Sequence, residues 1–124
     1  MNITINAINN QGDHTQEFVE LKIDKDTNLT HYLLSDTTYV DETTVSNKLP
    51  HTYWFSSQAV KAGDYVRLHT RTGTNTANAN TAKTSTYQIY WGLNKAIWNN
   101  TGDKAMLFEV SDRSSKRAKL RSFR

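Results

Sequence analysis

Residues able to support catalysis are few and scattered in this sequence. The four histidines, at positions 14, 31, 51 and 69, form no His-x-His or His-x-x-x-His pair, and there is no cysteine to act as a nucleophile or thiolate ligand. Asp36, Asp41 and Glu42 could supply paired carboxylates for hydrolysis, but acids beside polar loops are usually solvated. No nucleophile elbow, P-loop or dinucleotide motif occurs. We therefore predict no catalytic residue, no metal and no cofactor, so the chain is not expected to be an enzyme.

The segment Asp24-Lys25-Asp26-Thr27-Asn28 begins like a calcium-binding loop. The sixth position of such a loop needs glycine and the twelfth needs glutamate, but Leu29 and Ser35 stand there. Asp and Asn also make ordinary polar turns. A polar turn is the favoured interpretation, and a calcium-dependent surface is kept as an alternative.

The segment from Tyr65 to Arg71 combines stacking surface with positive charge. Val66, Leu68 and Thr70 are predicted to point inward, which leaves four side chains outward: Tyr65, Arg67, His69 and Arg71. Rings interleaved with cations suit nucleic-acid bases and backbones. The alternative is an ordinary solvent-facing side of an antiparallel strand.

The C-terminal residues form a basic tail. The whole chain has 15 Lys and Arg against 12 Asp and Glu, and the tail contributes Lys116, Arg117, Lys119 and Arg121 to this excess. Such a tail could meet phosphate, an acidic partner or water. Alternatively, Ala118 and Leu120 lie in a last edge strand whose Lys and Arg prevent aggregation.

Short alternating segments separated by turn residues place these side chains on strands. No segment sustains a helical period, so the pattern favours one antiparallel β-sandwich domain. Ile8 breaks the alternation of the first strand, which predicts a bulge near Ala7. Residues 72–84 are Gly, Asn, Thr and Ala with little apolar content, and we predict a long flexible loop there. We expect no signal peptide, no transmembrane segment and no membrane insertion; cytoplasm and exterior both stay open, as does the oligomeric state.

The stretch from Tyr87 to Leu107 is predicted to form strand, turn and strand. Tyr87, Ile89 and Trp91 alternate before Gly92, and Ala105 and Leu107 resume the alternation after a polar turn. All three tryptophans, Trp54, Trp91 and Trp98, are expected in the core rather than in a sugar-stacking platform, because large aromatics usually fill small sandwiches.

Several segments, in this order, resemble the lamin tail domain. They are Glu17-Phe18-Val19-Glu20-Leu21, the segment Leu29–Asp36, the Gly63-Asp64-Tyr65-Val66 strand start, and the signature carried by Trp91, Gly92, Trp98, Asn100, Gly102 and Asp103. The last segment is the most specific. His31 and Tyr32 stand where the family has glycine and tryptophan.

The resemblance implies an immunoglobulin-like sandwich of about seven to nine strands over residues 1–121, followed by a basic end at 122–124. Members of the lamin tail family are non-catalytic interaction modules that engage proteins and chromatin in nuclear lamins, and in bacteria they often accompany secreted or membrane-associated hydrolases. We therefore expect a protein-binding module. Nucleic-acid binding is the first alternative, and a carbohydrate- or calcium-dependent surface module is the second.

Overall fold

The protein is all-β. The structure is a computed structural model that describes residues 1–37, 49–99 and 103–119. Besides a 3₁₀ turn at Leu29–His31, this part of the chain contains the following strands: β1 Ile3–Asn9, β2 Phe18–Ile23, β3 Thr27–Asn28, β4 Tyr32–Thr37, β5 Thr52–Trp54, β6 Ala59–Val60, β7 Tyr65–His69, β8 Thr76–Ala79, β9 Ser85–Tyr90 and β10 Lys104–Glu109.

Three sheets make up the sandwich. The largest has the strand order β1-β2-β7-β9-β8, the second has the order β10-β4-β5, and β3 pairs with β6 in a small ribbon. One core joins them, with buried side chains that include Leu21, Leu34, Val66, Leu68 and Trp98. Burial of these side chains is the main stabilising term of the fold. The predicted all-β sandwich is confirmed.

Alternation along the strands was a reliable guide to which side chains are buried. In β7, Val66 and Leu68 are buried, as is Thr70 just beyond it, as predicted. The bulge expected near Ala7 is also present, as a register shift between Ile5 and Ala7 in the β1–β2 pair.

The parallel pairing of β7 with β9 departs from the predicted antiparallel arrangement. Between them the chain forms β8, which pairs antiparallel with the outer side of β9 at the edge of the sheet. Two successive reversals therefore return β9 in the direction of β7. Alternation reports only which face is buried and carries no information on strand direction.

Residues 72–84 are not the long loop that the sequence predicted, because they contain β8 and its turn. The Asn80 N–H donates to the Thr84 carbonyl at 2.8 Å, which closes the turn into β9. All four residues of β8 are exposed, so the strand has no buried face and no apolar alternation to detect. Gly73 is required here, since a Cβ would lie 2.4 Å from the Tyr90 ring.

The predicted last strand around Ala118 is also wrong. Residues 111–119 contain no strand and are exposed, and Leu120 lies outside the described residues. The β-branched and aromatic residues that favour strands are absent from this basic segment.

The tryptophans differ in burial although all three were predicted in the core. Trp98 is 1% exposed and lies in the core, and Trp91 is only partly buried against it. Trp54 is 46% exposed, so its assignment to the core is wrong. The side chain belongs to the short strand β5, on the outer face of the three-stranded sheet.

The buried carboxylate of Glu17 holds the segment that carries Trp98. Its Oε2 accepts hydrogen bonds from the Ile97 N–H at 3.0 Å and from the Thr70 hydroxyl, while Oε1 accepts from the Gly12 N–H at 3.0 Å. A buried charge needs such donors. Glu17 was noted in the sequence only as part of the early strand, and nothing in its spacing signalled this role.

Candidate binding surfaces

The predicted basic and aromatic side chains of β7 lie on the outer face of the five-stranded sheet. Register places His69 beside Phe18 of β2 and Tyr90 of β9. The His69 ring stacks on the Tyr90 ring with centroids 4.8 Å apart and an interplanar angle of 16°, and the Phe18 centroid lies 5.2 Å away on a tilted plane. We call this set, completed by the two arginines described next, the stacked row: Arg67, Phe18, His69, Tyr90 and Arg71.

Both arginines of the stacked row are engaged within the domain. The Arg67 guanidinium lies 5.0 Å from the Phe18 ring centroid and donates from Nε to the Glu20 carboxylate at 3.0 Å. Arg71 lies 5.0 Å from the Tyr90 ring centroid. Cation–π contacts and an ion pair hold these side chains against the sheet. The positive charge of Arg67 is thereby offset, which weakens its attraction for an external phosphate.

His69 sits between its neighbours as a neutral ring. Burial lowers the pKa of His69, and the positive charges of Arg71 and Arg67 lower it further, against the opposing effect of Gln88, whose Oε1 lies 2.6 Å from Nε2. Neutrality of this ring near pH 7 avoids repulsion from the two arginines. Tyr65 is not one of the stacked rings; together with Arg67, Asn80 and Thr86 it lines a shallow hollow.

The described part of the basic tail is exposed. Lys116, Arg117 and Lys119 follow β10 in a segment without strand structure, and none of them forms a salt bridge with another residue that the structure describes. Arg121 and the basic end at 122–124 lie outside the described residues. These cations remain available to an acidic partner or to phosphate.

An apolar row crosses the outer face of the three-stranded sheet. Leu33 of β4 pairs with Phe108 of β10 on one side and with Trp54 of β5 on the other, so the three side chains share one face. Trp54 and Phe108 are 46% and 38% exposed. We call Trp54, Leu33 and Phe108 the apolar row.

Arg113 lies over the exposed end of the apolar row. Its guanidinium carbon is 4.6 Å from the Trp54 ring centroid, and Trp54 Nε1 donates to the Thr30 carbonyl at 2.8 Å. A hollow of about 530 Å³ lies beside them, lined by Leu33, Trp54, Val110, Arg113, Ser114 and Ser115. Sequence reasoning missed this surface. A large ring at an outward position of a short strand could have signalled it.

The Asp24–Asn28 segment uses its polar groups within the domain. The Asp24 carboxylate accepts from the Thr4 hydroxyl, Asp26 accepts from the Ala62 N–H at 2.9 Å, and Asn28 caps the 3₁₀ turn through the Thr30 N–H at 3.0 Å. These contacts support the interpretation as a polar turn. Within residues 1–37, 49–99 and 103–119, no group of His, Asp and Glu is arranged to hold a metal ion.

One pair of acids does come close together, beside a histidine. Asp36 accepts from the His51 N–H at 2.8 Å and lies 2.8 Å from His51 Nδ1. Burial raises the pKa of Asp103, and the negative charge of Asp36 adds to this increase. Asp41 and Glu42, the other predicted carboxylates, lie outside the described residues. Asp36 is thus hydrogen-bonded to the His51 imidazole, and Asp103 lies close enough for its pKa to respond to the charge of Asp36.

The Trp91–Leu107 signature serves mainly the fold. Trp98 fills the core, Gly92 adopts a φ of +87° that disfavours other residues, and Asp103 is half-buried just before β10. Asn100 and Gly102 lie outside the described residues.

None of the described helices is long and apolar enough to span a membrane.

Comparison with known proteins assigns the chain to a family. No curated protein matches the sequence. The model of one family, TP_1001_2nd, described as a protein second domain, matches residues 1–109, which run from the N-terminus to the last residue of β10. Because this match covers most of the chain, the protein belongs to the TP_1001_2nd protein second domain family.

Proposed function

We propose that this domain is a non-catalytic binding module of the lamin tail type that recognises a protein partner. The apolar row carries the proposal, because it exposes a tryptophan and a phenylalanine on one sheet face beside an arginine. Trp, Phe and Arg are enriched in protein interfaces, and Trp and Arg in particular carry much of their binding energy. The predicted surface on β7 is a weaker candidate, since its cations already contact Glu20 and the rings.

The neighbouring charges indicate what kind of protein surface fits. Arg113 lies at the edge of the hollow, and exposed Lys116, Arg117 and Lys119 follow in the chain. A partner with a large apolar side chain for the hollow and acidic residues around it would satisfy both features. The apolar contact would supply affinity, and the charges would favour association and orientation.

The experiment uses the tagged domain to isolate partners from an extract of its source cells, followed by calorimetry with each purified candidate. We expect the Trp54→Ala variant to lose at least about tenfold in affinity, which is typical of an interface anchor. Leu49→Ala is the matched control, because Leu49 is also exposed, at 41%, but lies outside the apolar row. Equal binding by wild type and Trp54→Ala would contradict the proposal, provided that both variants melt normally.

Nucleic-acid binding is the second candidate, and the exposed tail is the observation that favours it. Lys116, Arg117 and Lys119 are exposed, whereas Arg67 pairs with Glu20. Fluorescence anisotropy with duplex DNA at about 50 and 200 mM salt tests this candidate. Binding through phosphate should fall steeply with salt and be lost when the three tail cations become alanine. An absence of binding at low salt removes the candidate.

A carbohydrate- or calcium-dependent surface is the third candidate. It is favoured only by the exposed Trp54 ring, on which a sugar could stack. A ligand that binds the folded state raises the melting temperature. Unchanged melting with calcium and with a panel of saccharides would exclude it.

A further inference from the structure

The strand β8 is an unprotected edge of the five-stranded sheet. Among the strands that the structure describes, it lies at the end of the order and pairs with β9 alone, and all four of its residues are exposed. Its sequence Thr-Ala-Asn-Ala has no charge and no proline, the usual devices that stop another strand from pairing with an edge. By contrast, β10 at the edge of the second sheet carries Lys104 and Glu109. The β8 edge is therefore chemically open to a further strand.

The backbone of β8 presents hydrogen-bonding groups away from the sheet. In an antiparallel pair, alternate residues direct their N–H and C=O toward the neighbour. The Asn80 N–H donates to the Thr84 carbonyl, so the backbone groups of residues 78 and 76 also point toward β9. The backbone N–H and C=O of Ala77 and Ala79 therefore point away from the sheet. At the far end the Asn75 side chain accepts from the Tyr90 N–H at 3.0 Å. An added strand would find the donors and acceptors of Ala77 and Ala79 unpaired.

A hollow of about 250 Å³ opens beside β8 on the side that faces the second sheet. Tyr53 and Tyr87 supply rings to its wall, Ala77 and Ile89 add apolar surface, and the other residues that line it are polar but uncharged. Ala77 and Tyr87 pair across β8 and β9, so they share this face. The side chain of an added strand that points inward would enter the hollow.

We propose that β8 binds an extended segment of another protein as an added strand, with a large uncharged apolar side chain in the hollow. Backbone hydrogen bonds would give affinity, and the hollow would select the side chain. The tyrosine rings and the neutral lining favour an aromatic or aliphatic group over a charged one. This site lies apart from the apolar row, and the proposal does not rest on the function inferred for that row.

A second copy of this chain fits the edge less well. Its β8 would offer only Thr, Ala and Asn side chains, which are too small to occupy the hollow. Four paired residues also span only about 13 Å, too short to approach the roughly 1,000 Å² that a stable interface buries. A segment of a different protein can place a bulky residue in the hollow, and the short span of β8 makes its binding weak rather than that of a stable dimer.

The test uses fluorescein-labelled peptides Lys-Thr-Val-Thr-Xaa-Thr-Val-Thr-Lys, in which Xaa is Phe, Leu, Ser or Asp, and measures anisotropy against the full chain. We expect the Phe and Leu peptides to bind at least about tenfold more tightly than the Ser and Asp peptides, because only they bury apolar area in the hollow. A Phe peptide with N-methyl groups on alternate residues should bind at least about tenfold more weakly, because it cannot pair along that edge.

The matched variants are Ala77→Pro and Asn78→Val. Proline at position 77 removes an outward N–H without breaking the bonds to β9, and such prolines are tolerated on edge strands. Asn78 is exposed, directs its backbone groups toward β9 and does not line the hollow. Ala77→Pro should abolish peptide binding at unchanged melting temperature, and Asn78→Val should retain it, with slower exchange of the residue 77 and 79 amides in the complex. Equal binding by Ala77→Pro, or no binding of any peptide at millimolar concentration, would overturn the proposal. So would a concentration-dependent dimer that Ala77→Pro dissociates, since a second copy would then occupy the edge.

Discussion

The outer faces of the two large sheets use similar residue types in opposite ways. On the five-stranded sheet, the stacked row brings rings and arginines into contact with one another, and Glu20 offsets Arg67. On the three-stranded sheet, Trp54 and Phe108 flank Leu33, Arg113 lies over the tryptophan ring, and a large hollow remains beside them. The side chains on the face of the five-stranded sheet already contact one another, whereas the face of the three-stranded sheet leaves apolar area exposed to water.

This difference shows that residue type alone does not identify a binding face. Aromatic and basic side chains on β7 suggested a ligand surface, but the neighbouring strands supply partners for them. Trp54 was expected in the core, yet the register with Leu33 places it outside. What matters for binding is the contacts that remain unmade after folding, and those depend on which strands become neighbours.

Truncation of the two tryptophans should give the largest contrast. We expect Trp98→Ala to lower the free energy of unfolding by about 3–5 kcal/mol, because Trp98 is fully buried and its removal leaves a cavity. Trp54→Ala should change it by less than about 1 kcal/mol, since much of that ring is already in water. Urea unfolding measures both. Comparable losses would mean that the apolar row is part of the core.

Removal of the central ring of the stacked row should have a smaller effect. His69→Ala loses the contacts with Tyr90 and Phe18, and we expect a decrease of about 1–2 kcal/mol in unfolding free energy. The control is His69→Phe, which keeps an aromatic ring and should retain most of the stability. If His69→Ala has the same unfolding free energy as the wild type, the ring contacts of the stacked row contribute nothing to stability. Its rings are then as available to a ligand as those of the apolar row.

Acidification should destabilise the stacked row but not the apolar row. The pKa of His69 is lowered in the folded state, so the unfolded chain binds a proton first as the pH falls below about 6.5. His69 then favours unfolding increasingly as the pH drops from there toward its folded-state pKa, and has no such effect above about 7.5. Melting temperatures between pH 7.5 and 5.5 should therefore fall less for His69→Phe than for wild type. Parallel curves for the two proteins would contradict this assignment.

Release of Arg67 should have the smallest effect. Glu20→Gln removes the negative charge beside the guanidinium, and because the Arg67 side chain is 41% exposed, we expect a stability change below about 1 kcal/mol. The freed cation should increase affinity for duplex DNA a few-fold at low salt. Asn6→Ala is a control that removes a bond to Glu20 without changing its charge. An unchanged affinity for DNA would show that the ion pair with Glu20 is not what prevents Arg67 from binding phosphate.

Local patterns predicted the fold class and much of the core, but not the neighbours of each strand. Alternation placed Val66 and Leu68 inside, and the phase break at Ile8 located the bulge, because both depend only on adjacent residues. The parallel β7–β9 pair, the edge strand β8 and the exposure of Trp54 depend on long-range pairing, which has no local signal. The two hollows lie between segments distant in sequence, so neither could be found from spacing.

Glu17 has a consequence for motion within the domain. One carboxylate accepts hydrogen bonds from the Gly12 turn, from Thr70 after β7, and from Ile97 and Trp98. A fluctuation that withdraws it therefore deprives all of these segments of a partner at once. The amides of Gly12, Ile97 and Trp98 should exchange with heavy water at one common rate, as a single cooperatively opening unit assembled from residues far apart along the chain.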